Sequence, residues 1–348
     1  MVNNMRGKEA KVTIYDVAKK AGVSKSTVSR YLGGRFHELS PKTQQKIKQV
    51  IDELQYRPNN LARGLKSSHS YLIGALVADI TNPYTTAILR GAEDVCKQHG
   101  YSLLICNSDN QPAKEREYIS MLQSHKIDGL LIQTTGGNSD FLETLSENGK
   151  TPIVLVDRKI PELPFDTVEI DNRGAVMQAV SYLIKKNYKR IGYFTEPVAH
   201  FSPRHERYTG FQEALRLVNP SHPSLEDLFE VDLNDESQLE KKLNTFLSRT
   251  SKEPRAIIAG NSVIALKIII KLKEQGYKIP DDTGFLSFDN PEWAAAVFSG
   301  ITTIEQPTYQ IGKTVMELIL KRLADDESPV QTISYQTRLI ERESAPGR

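Results

Sequence analysis

The chain is poor in cysteine: Cys96 and Cys106 are its two thiols in 348 residues. That excludes a disulfide-stapled scaffold and leaves both as expected core residues in a reducing compartment. Apolar runs long enough to span a membrane are absent; the longest, such as YLIGALVA, are strand-sized. The opening MVNNMRGKEAK has no apolar stretch, so no secretory signal is expected and the place of action is read as the cytoplasm. The seven histidines are scattered, and the nearest pair, His200 and His205, does not put two ligands on one helix face. Neither a metal site nor a cofactor is therefore expected. No phosphate-binding glycine loop, nucleophile elbow or paired acid–base constellation occurs, so no catalytic residue is assigned and an enzyme is not expected.

What is present is charge, unevenly placed. The formal net charge is only +2, yet residues 1–69 hold 14 Lys and Arg against 5 Asp and Glu, a net of +9, and residues 70–348 hold 31 against 38, a net of −7. A basic head on an acidic body fits a head that neutralises phosphates and a body that phosphates repel. The length and the 39% apolar content suit one small domain plus a large or bilobal one.

Within the head, TIYDVAKKAGVSKSTVSRYL (residues 13–32) holds two helical patterns flanking Gly22-Val23. Thr13 can cap the first, with Asp16 three residues on. Ile14, Val17, Ala18 and Ala21 follow the spacing of one buried face, and Gly22 stands where a helix ends in a left-handed turn. Ser24 is a natural cap for the second helix, which is expected to bury Val28 and Leu32 and to expose Lys25, Ser26, Ser29 and Arg30. Such donors near a helix N-terminus fit the major groove of DNA, whereas the plainer reading is an ordinary helical hairpin; the basic head favours DNA. A third helix is expected from Ser40-Pro41, facing inward with Ile47, Val50, Ile51 and Leu54 and ending at Tyr56-Arg57-Pro58. Asn59 or Asn60 then caps LARGLKS, too short to be a stable helix alone and weakened by Gly64. It reads either as a helix that orders only against a partner or as a flexible linker.

From Tyr71 onward short apolar runs alternate with amphipathic helices. YLIGALV, SLLICN, GLLIQ, PIVLV, TVEI, RIGYF, AIIAG and GFLSF read as strands apolar on both faces, hence parallel sheets covered on both sides. About 280 residues of this pattern exceed one ordinary sheet, so two α/β lobes are expected, with the crossing near Ile170-Asp171. A last helix from about Thr308 to Ala324 and a strand near Tyr335–Leu339 would cross back.

At this point the sequence resembles the LacI/GalR family of bacterial transcription regulators over its whole length. The resemblance is carried by the head motif, YRPNNLARGLKS, IGALVADITNPY, VEIDNRGA, ERYTGF and GITTIEQPTYQIG, in order and spacing. It implies a helix–turn–helix head over 1–58, a hinge helix over 59–69 and a dimerising, periplasmic-binding-protein-like body over 70–348. The first lobe would take about 70–170 plus 306–332, and the second about 171–305 plus 333–348. By resemblance the DNA contacts would be Thr13, Ser24, Lys25, Ser26, Thr27 and Arg30 of the head with Asn59, Arg63 and Leu65 of the hinge. Lys25, Ser26 and Arg30 match base-reading positions, and Leu65 matches the leucine that wedges into the minor groove. The effector contacts would be Tyr84, Asp157, Arg207, Asn261, Asp289 and Gln306, with Tyr84 stacking on a sugar face. Two departures stand out: Ser262 follows Asn261 where the family commonly has an acid, and the single Trp293 either closes the cleft or packs in the core.

The resemblance further implies a homodimer on a near-palindromic double-stranded operator, repressing carbohydrate-use genes under a sugar or sugar-acid effector. The Asn-Pro-Glu-Trp run and GITTIEQPTYQIG resemble the ketodeoxygluconate-type branch. A phosphoprotein co-regulator is a second regulatory reading. A sugar-binding transport protein would share the body but not the basic head. The closing RLIERESAPGR has no leucine heptads, so no tetramerising coiled coil is expected.

Overall fold

The computed structural model describes residues 12–32, 36–56, 69–147, 149, 151–199, 201–218, 227–248 and 253–348. The chain divides after Ser70 into two compact units.

The first unit holds α1 (Ile14–Ala21), α2 (Lys25–Leu32), a 3-10 turn (Phe36–Glu38) and α3 (Pro41–Glu53). Its core is Val17, Ala18, Ala21, Val28, Ile47 and Val50. Each helix starts where local chemistry places it. The Asp16 carboxylate accepts from the Thr13 N–H (2.8 Å) and hydroxyl (2.6 Å). Ser24 Oγ accepts from Thr27 N–H at 3.1 Å, and Ser40 Oγ from Thr43 N–H at 3.2 Å ahead of Pro41. Gly22 ends α1 at φ 60°, and the Val23 N–H reaches back to Ala18 O at 3.1 Å. Two expectations need correction. Leu32 is only half-buried. Lys25 is also half-buried, because its Nζ lies 4.3 Å above the Tyr15 ring and donates to the Tyr15 hydroxyl at 3.2 Å. The 3-10 turn was not anticipated; the Gln44 amide on α3 holds it by donating to Phe36 O and Leu39 O. The expected hinge contacts Asn59, Arg63 and Leu65 lie outside the described residues.

The second unit is two α/β lobes. In the first lobe a six-stranded parallel sheet runs in the order β11-β5-β4-β3-β1-β2. Its members are β1 (Leu72–Val77), β2 (Ser102–Asn107), β3 (Gly129–Ile132), β4 (Ile153–Val156), β5 (Asp166–Ile170) and β11 (Thr332–Tyr335). It is layered with α4 (Pro83–Gln98), α5 (Pro112–Ser124), α6 (Ser139–Glu147) and α12 (Thr308–Leu323). The second sheet has the order β12-β10-β9-β8-β6-β7, all parallel except β12. Its strands are β6 (Arg190–Thr195), β7 (Leu228–Glu230), β8 (Arg255–Ala259), β9 (Gly284–Phe288), β10 (Thr302–Glu305) and β12 (Arg338–Ile340). Its helices are α7 (Asn172–Lys185), α8 (Ser202–Val218), α9 (Glu236–Ser248), α10 (Ser262–Glu274) and the single turn α11 (Trp293–Ala296). Leu130, Leu131 and Ile132 on β3 are all buried, as a strand covered on both faces requires.

The chain crosses between the lobes after Ile170, before Thr308 and between Tyr335 and Arg338. The division expected at residue 332 therefore falls at the start of β11. Thr332–Tyr335 pairs with β5 and stays with the first lobe, while Arg338–Ile340 pairs with β10 in the second. One expected strand is two short ones, split at the crossing. Both cysteines are buried free thiols, and burial pushes Cys96 up to about 11, which keeps it inert at neutral pH.

Candidate functional site

Two places gather the chemistry. On the head, α2 carries Lys25, Ser26, Thr27 and Arg30, capped by Ser24. Ser26 and Arg30 are exposed. Arg30 Nε sits 3.1 Å from Glu38 Oε2 on the 3-10 turn, so its guanidinium is already held on this face by an exposed ion pair.

The other place is the cleft between the lobes of the body, about 750 Å³ including its open mouth. It lies where strands end, as clefts of open parallel sheets do. The structure brings all six residues singled out from the sequence to its walls: Tyr84, Asp157, Arg207, Asn261, Asp289 and Gln306. Asp157 follows β4 and Asp289 follows β9, both with left-handed backbone (φ 67° and 66°). These are non-glycine residues in a strained conformation at the tips of two strands, one from each lobe.

Each carboxylate is tethered. Asp157 accepts from the Tyr84 hydroxyl (3.2 Å) and the Gln133 amide (3.1 Å). Asp289 accepts from the Ser262 N–H (3.0 Å) and the Gln306 amide (2.6 Å). Ser262, the residue after Asn261, thus meets Asp289 through its backbone. Gln306 Oε1 is buried without a partner among the described residues. Asn261 caps α10, its Oδ1 accepting from Val263 and Ile264 N–H at 3.0 Å, and its amide donates to Glu196 at 2.7 Å. Arg207 is buried on α8. Its Nε donates to Asn172 Oδ1 (2.8 Å), its Nη1 to Gly260 O (2.7 Å), and the guanidinium lies 4.1 Å from the Phe288 ring centroid.

Tyr84 lines the cleft and is mostly buried. Its ring belongs to the first lobe's core and its hydroxyl is committed to Asp157, so burial first, then that carboxylate, raises it well above a usual phenol. Trp293 packs on the second lobe's core and lines a neighbouring groove, not this cleft.

The sequence reading missed Gln133, Arg158, Glu196, Phe201 and Arg204, which also line the cleft. Arg158 is 8% exposed, and its Nη1 donates to Thr134 O at 3.0 Å. That carbonyl is steadied by the buried Glu115, which accepts from Thr135 N–H (2.6 Å) and the Asn138 amide (3.0 Å). Burial brings the Arg158 guanidinium down to about 10, so it stays cationic at neutral pH. Phe201 is flanked by two guanidiniums, Arg158 at 4.0 Å and Arg204 at 4.6 Å, and Arg204 pairs with Glu196 at 2.6 Å. A signal was available: Arg158 directly follows a strand-end aspartate, and Arg204 precedes Arg207 by three, on the same helix face. The arrangement offers carboxylate and amide acceptors for hydroxyl groups, and buried guanidiniums for an anion. Among the described residues no group of acids, histidines or cysteines could hold a metal ion.

Comparison with known proteins agrees over nearly the whole chain. Residues 13–59 match the family model of bacterial regulatory proteins of the lacI family, and residues 70–343 match that of periplasmic binding proteins and the sugar binding domain of the LacI family. The HTH-type transcriptional regulator KdgR of Bacillus subtilis is 44% identical over 332 residues, 95% of this chain and 97% of that one. The HTH-type transcriptional regulator PtxS of Pseudomonas aeruginosa is 39% identical over 338 residues, 97% of each. Among solved structures, the lac repressor dimer bound to operator and the anti-inducer ONPF superposes with a TM-score of 0.79 over 97% of this chain and all of that one; at 21% identity the likeness is one of fold. A LacI family transcriptional regulator from Enterococcus faecium with bound ribose has a TM-score of 0.70 at 26% identity, covering 80% of this chain and 99% of that chain.

Proposed function

The chain belongs to the LacI family of DNA-binding transcription regulators, and on that premise we propose that it is a cytoplasmic homodimeric repressor of carbohydrate-use genes whose effector is a sugar acid of the ketodeoxygluconate type. It is a regulator and not an enzyme. The observation that carries the sugar-acid reading is the buried, cationic Arg158 facing a cleft that also presents Asp157 and Asp289. Carboxylates tethered at two strand ends suit hydroxyl groups, and a guanidinium with five N–H donors suits a carboxylate. Asp157, Glu196 and Glu115 partly offset that buried charge, and a ligand carboxylate would give it a direct hydrogen-bonded partner. In this reading Tyr84, Gln133 and Gln306 orient the acids, and Arg207 and Asn261 complete the second lobe's wall.

On DNA, α2 enters the major groove. Lys25, Ser26, Thr27 and Arg30 face base edges, Thr13 and Ser24 lie at helix starts near phosphates, and Asn59, Arg63 and Leu65 serve the central minor groove. Effector binding prefers one lobe arrangement, and the operator-competent population shifts by that preference.

Thermal melting against matched sugars, sugar acids and sugar phosphates tests the effector. The expected result is a melting temperature raised by a six-carbon keto-acid at millimolar concentration and left in place by the uncharged sugar, since a ligand specific for the folded state stabilises by mass action. A response to neutral sugars alone would overturn the assignment. For the head, Arg30→Ala is expected to lose about 1–3 kcal/mol of operator affinity, with a smaller loss on random DNA, if Arg30 leaves Glu38 for a guanine. Equal losses on both DNAs in a gel-shift competition would reduce Arg30 to a phosphate contact.

A further inference from the structure

Just behind the cleft, the residue after Arg158 turns its charge the other way. Lys159 Nζ lies 3.2 Å from Glu169 Oε1 on β5 of the first lobe and 2.6 Å from Glu206 Oε1 on α8 of the second. The Lys159 N–H donates to Ser202 Oγ at 3.1 Å, at the start of the same helix. Arg158 meets that segment too, through the Phe201 ring. Two consecutive residues at the end of β4 thus touch the opposite lobe at Phe201, Ser202 and Glu206. From Glu206 the contacts return to the cleft: Asn172, on the first interlobe crossing, donates to Glu206 Oε2 at 3.3 Å and accepts from Arg207 Nε at 2.8 Å.

We infer that Lys159 is a positioning residue of the effector cleft: its ammonium clasps the two lobes and so holds Arg158 in place for the acid group of the ligand. The electrostatic reason is specific. Glu169 and Glu206 share one cation, and Glu169 is buried with its Oε2 unpartnered among the described residues. Without Lys159, two carboxylates of like charge would face each other across the lobe junction, and separation of the lobes would relieve them. Because Arg158 and Lys159 are joined by one peptide bond, opening the clasp also moves the guanidinium that faces the ligand. The clasp therefore makes anion binding and lobe closure one event, as a ligand that acts by population shift requires. The second half of this inference rests on the sugar-acid reading above; the clasp itself does not.

The test uses the full-length protein with Lys159→Met, which keeps most of the aliphatic stem and removes the charge, Lys159→Arg, and the double variant Lys159→Met/Glu206→Gln. Hydrogen exchange without ligand should be faster in Lys159→Met at residues 170–172 and 202–207. It should return toward wild type when Glu206→Gln removes one of the facing charges, and stay near wild type in Lys159→Arg. A purely packing role would not respond to that second substitution. With 2-keto-3-deoxygluconate and the uncharged 3-deoxyglucose as probes, the preference for the acid should fall about fivefold in Lys159→Met, the lower range of typical site-to-site coupling, and be regained in Lys159→Arg. Wild-type exchange rates in Lys159→Met would overturn the clasp. Faster exchange with an unchanged acid preference would overturn the positioning of Arg158. If the wild-type protein binds neither probe, the sugar-acid reading and the positioning role built on it fall, while the exchange data still judge the clasp.

Discussion

Gly312→Ala is expected to destabilise the body by about 3 kcal/mol, the upper range for overpacking a tight core. A Cβ on Gly312 of α12 would sit 1.9 Å from Ile88 O and 2.9 Å from Ala92 N on α4, both backbone atoms. The contact is mirrored: a Cβ on Gly91 would lie 2.1 Å from Tyr309 O. Side chains can rotate away, whereas the carbonyls of a packed helix cannot move without breaking its ladder. Alanine gains about 1 kcal/mol of helix propensity over glycine, so the clash decides the sign. The melting temperature should fall by about 5 °C for a body of this size. Gly347→Ala, with no atom within 4 Å, is the control and should melt near wild type. Equal melting of Gly312→Ala and wild type would mean that α4 and α12 are not in backbone contact.

Arg207→Ala is expected to abolish the effector response with little change in operator affinity in its absence. Losing charge-assisted hydrogen bonds costs about 1.5–3 kcal/mol, roughly a 10- to 100-fold loss of effector affinity. There is a structural cost as well, because Asn172 Oδ1 and Gly260 O lose their donor, at about 1–3 kcal/mol for buried groups left unpaired. The variant should therefore melt lower yet fold. Arg207→Lys is not expected to rescue it, since an ammonium cannot reproduce a planar fork held at two points above the Phe288 ring. Isothermal titration and operator gel shifts on the same preparation separate the two losses. Loss of operator binding by folded protein would make Arg207 a structural residue and remove it from the effector site.

Local chemistry explains why so much of the head was legible. Thr13 with Asp16, Gly22, Ser24 and Ser40-Pro41 set helix ends through contacts a few residues apart, and these occur where the spacing places them. The 3-10 turn was not legible, because what holds it is Gln44, a side chain from the next helix. In the body, buried strands announce themselves as continuous apolar runs. The short Leu228–Glu230 and Thr302–Glu305, with few apolar residues each, do not, and they were missed. So was α9, whose inward Leu239, Leu243, Phe246 and Leu247 are set among charged and polar residues.

The sequence by itself determined the two-part plan, the basic helix and the α/β body, because each depends on neighbours in the chain, and its resemblance to the LacI/GalR family supplied six residues of the cleft wall. Only the tertiary structure decided what the cleft is made of. Residues as far apart in sequence as Tyr84 and Asp157, or Asn261 and Glu196, become hydrogen-bond partners only when the strand order is known. It also decided that Tyr84 is a buried donor to Asp157, and that Thr332–Tyr335 belongs to the first lobe. Arg158 and Lys159 show the division most clearly. They are adjacent in the sequence and alike in charge, yet one faces the cleft beside Phe201 and the other binds two acids behind it, because the two lobes meet at that peptide bond.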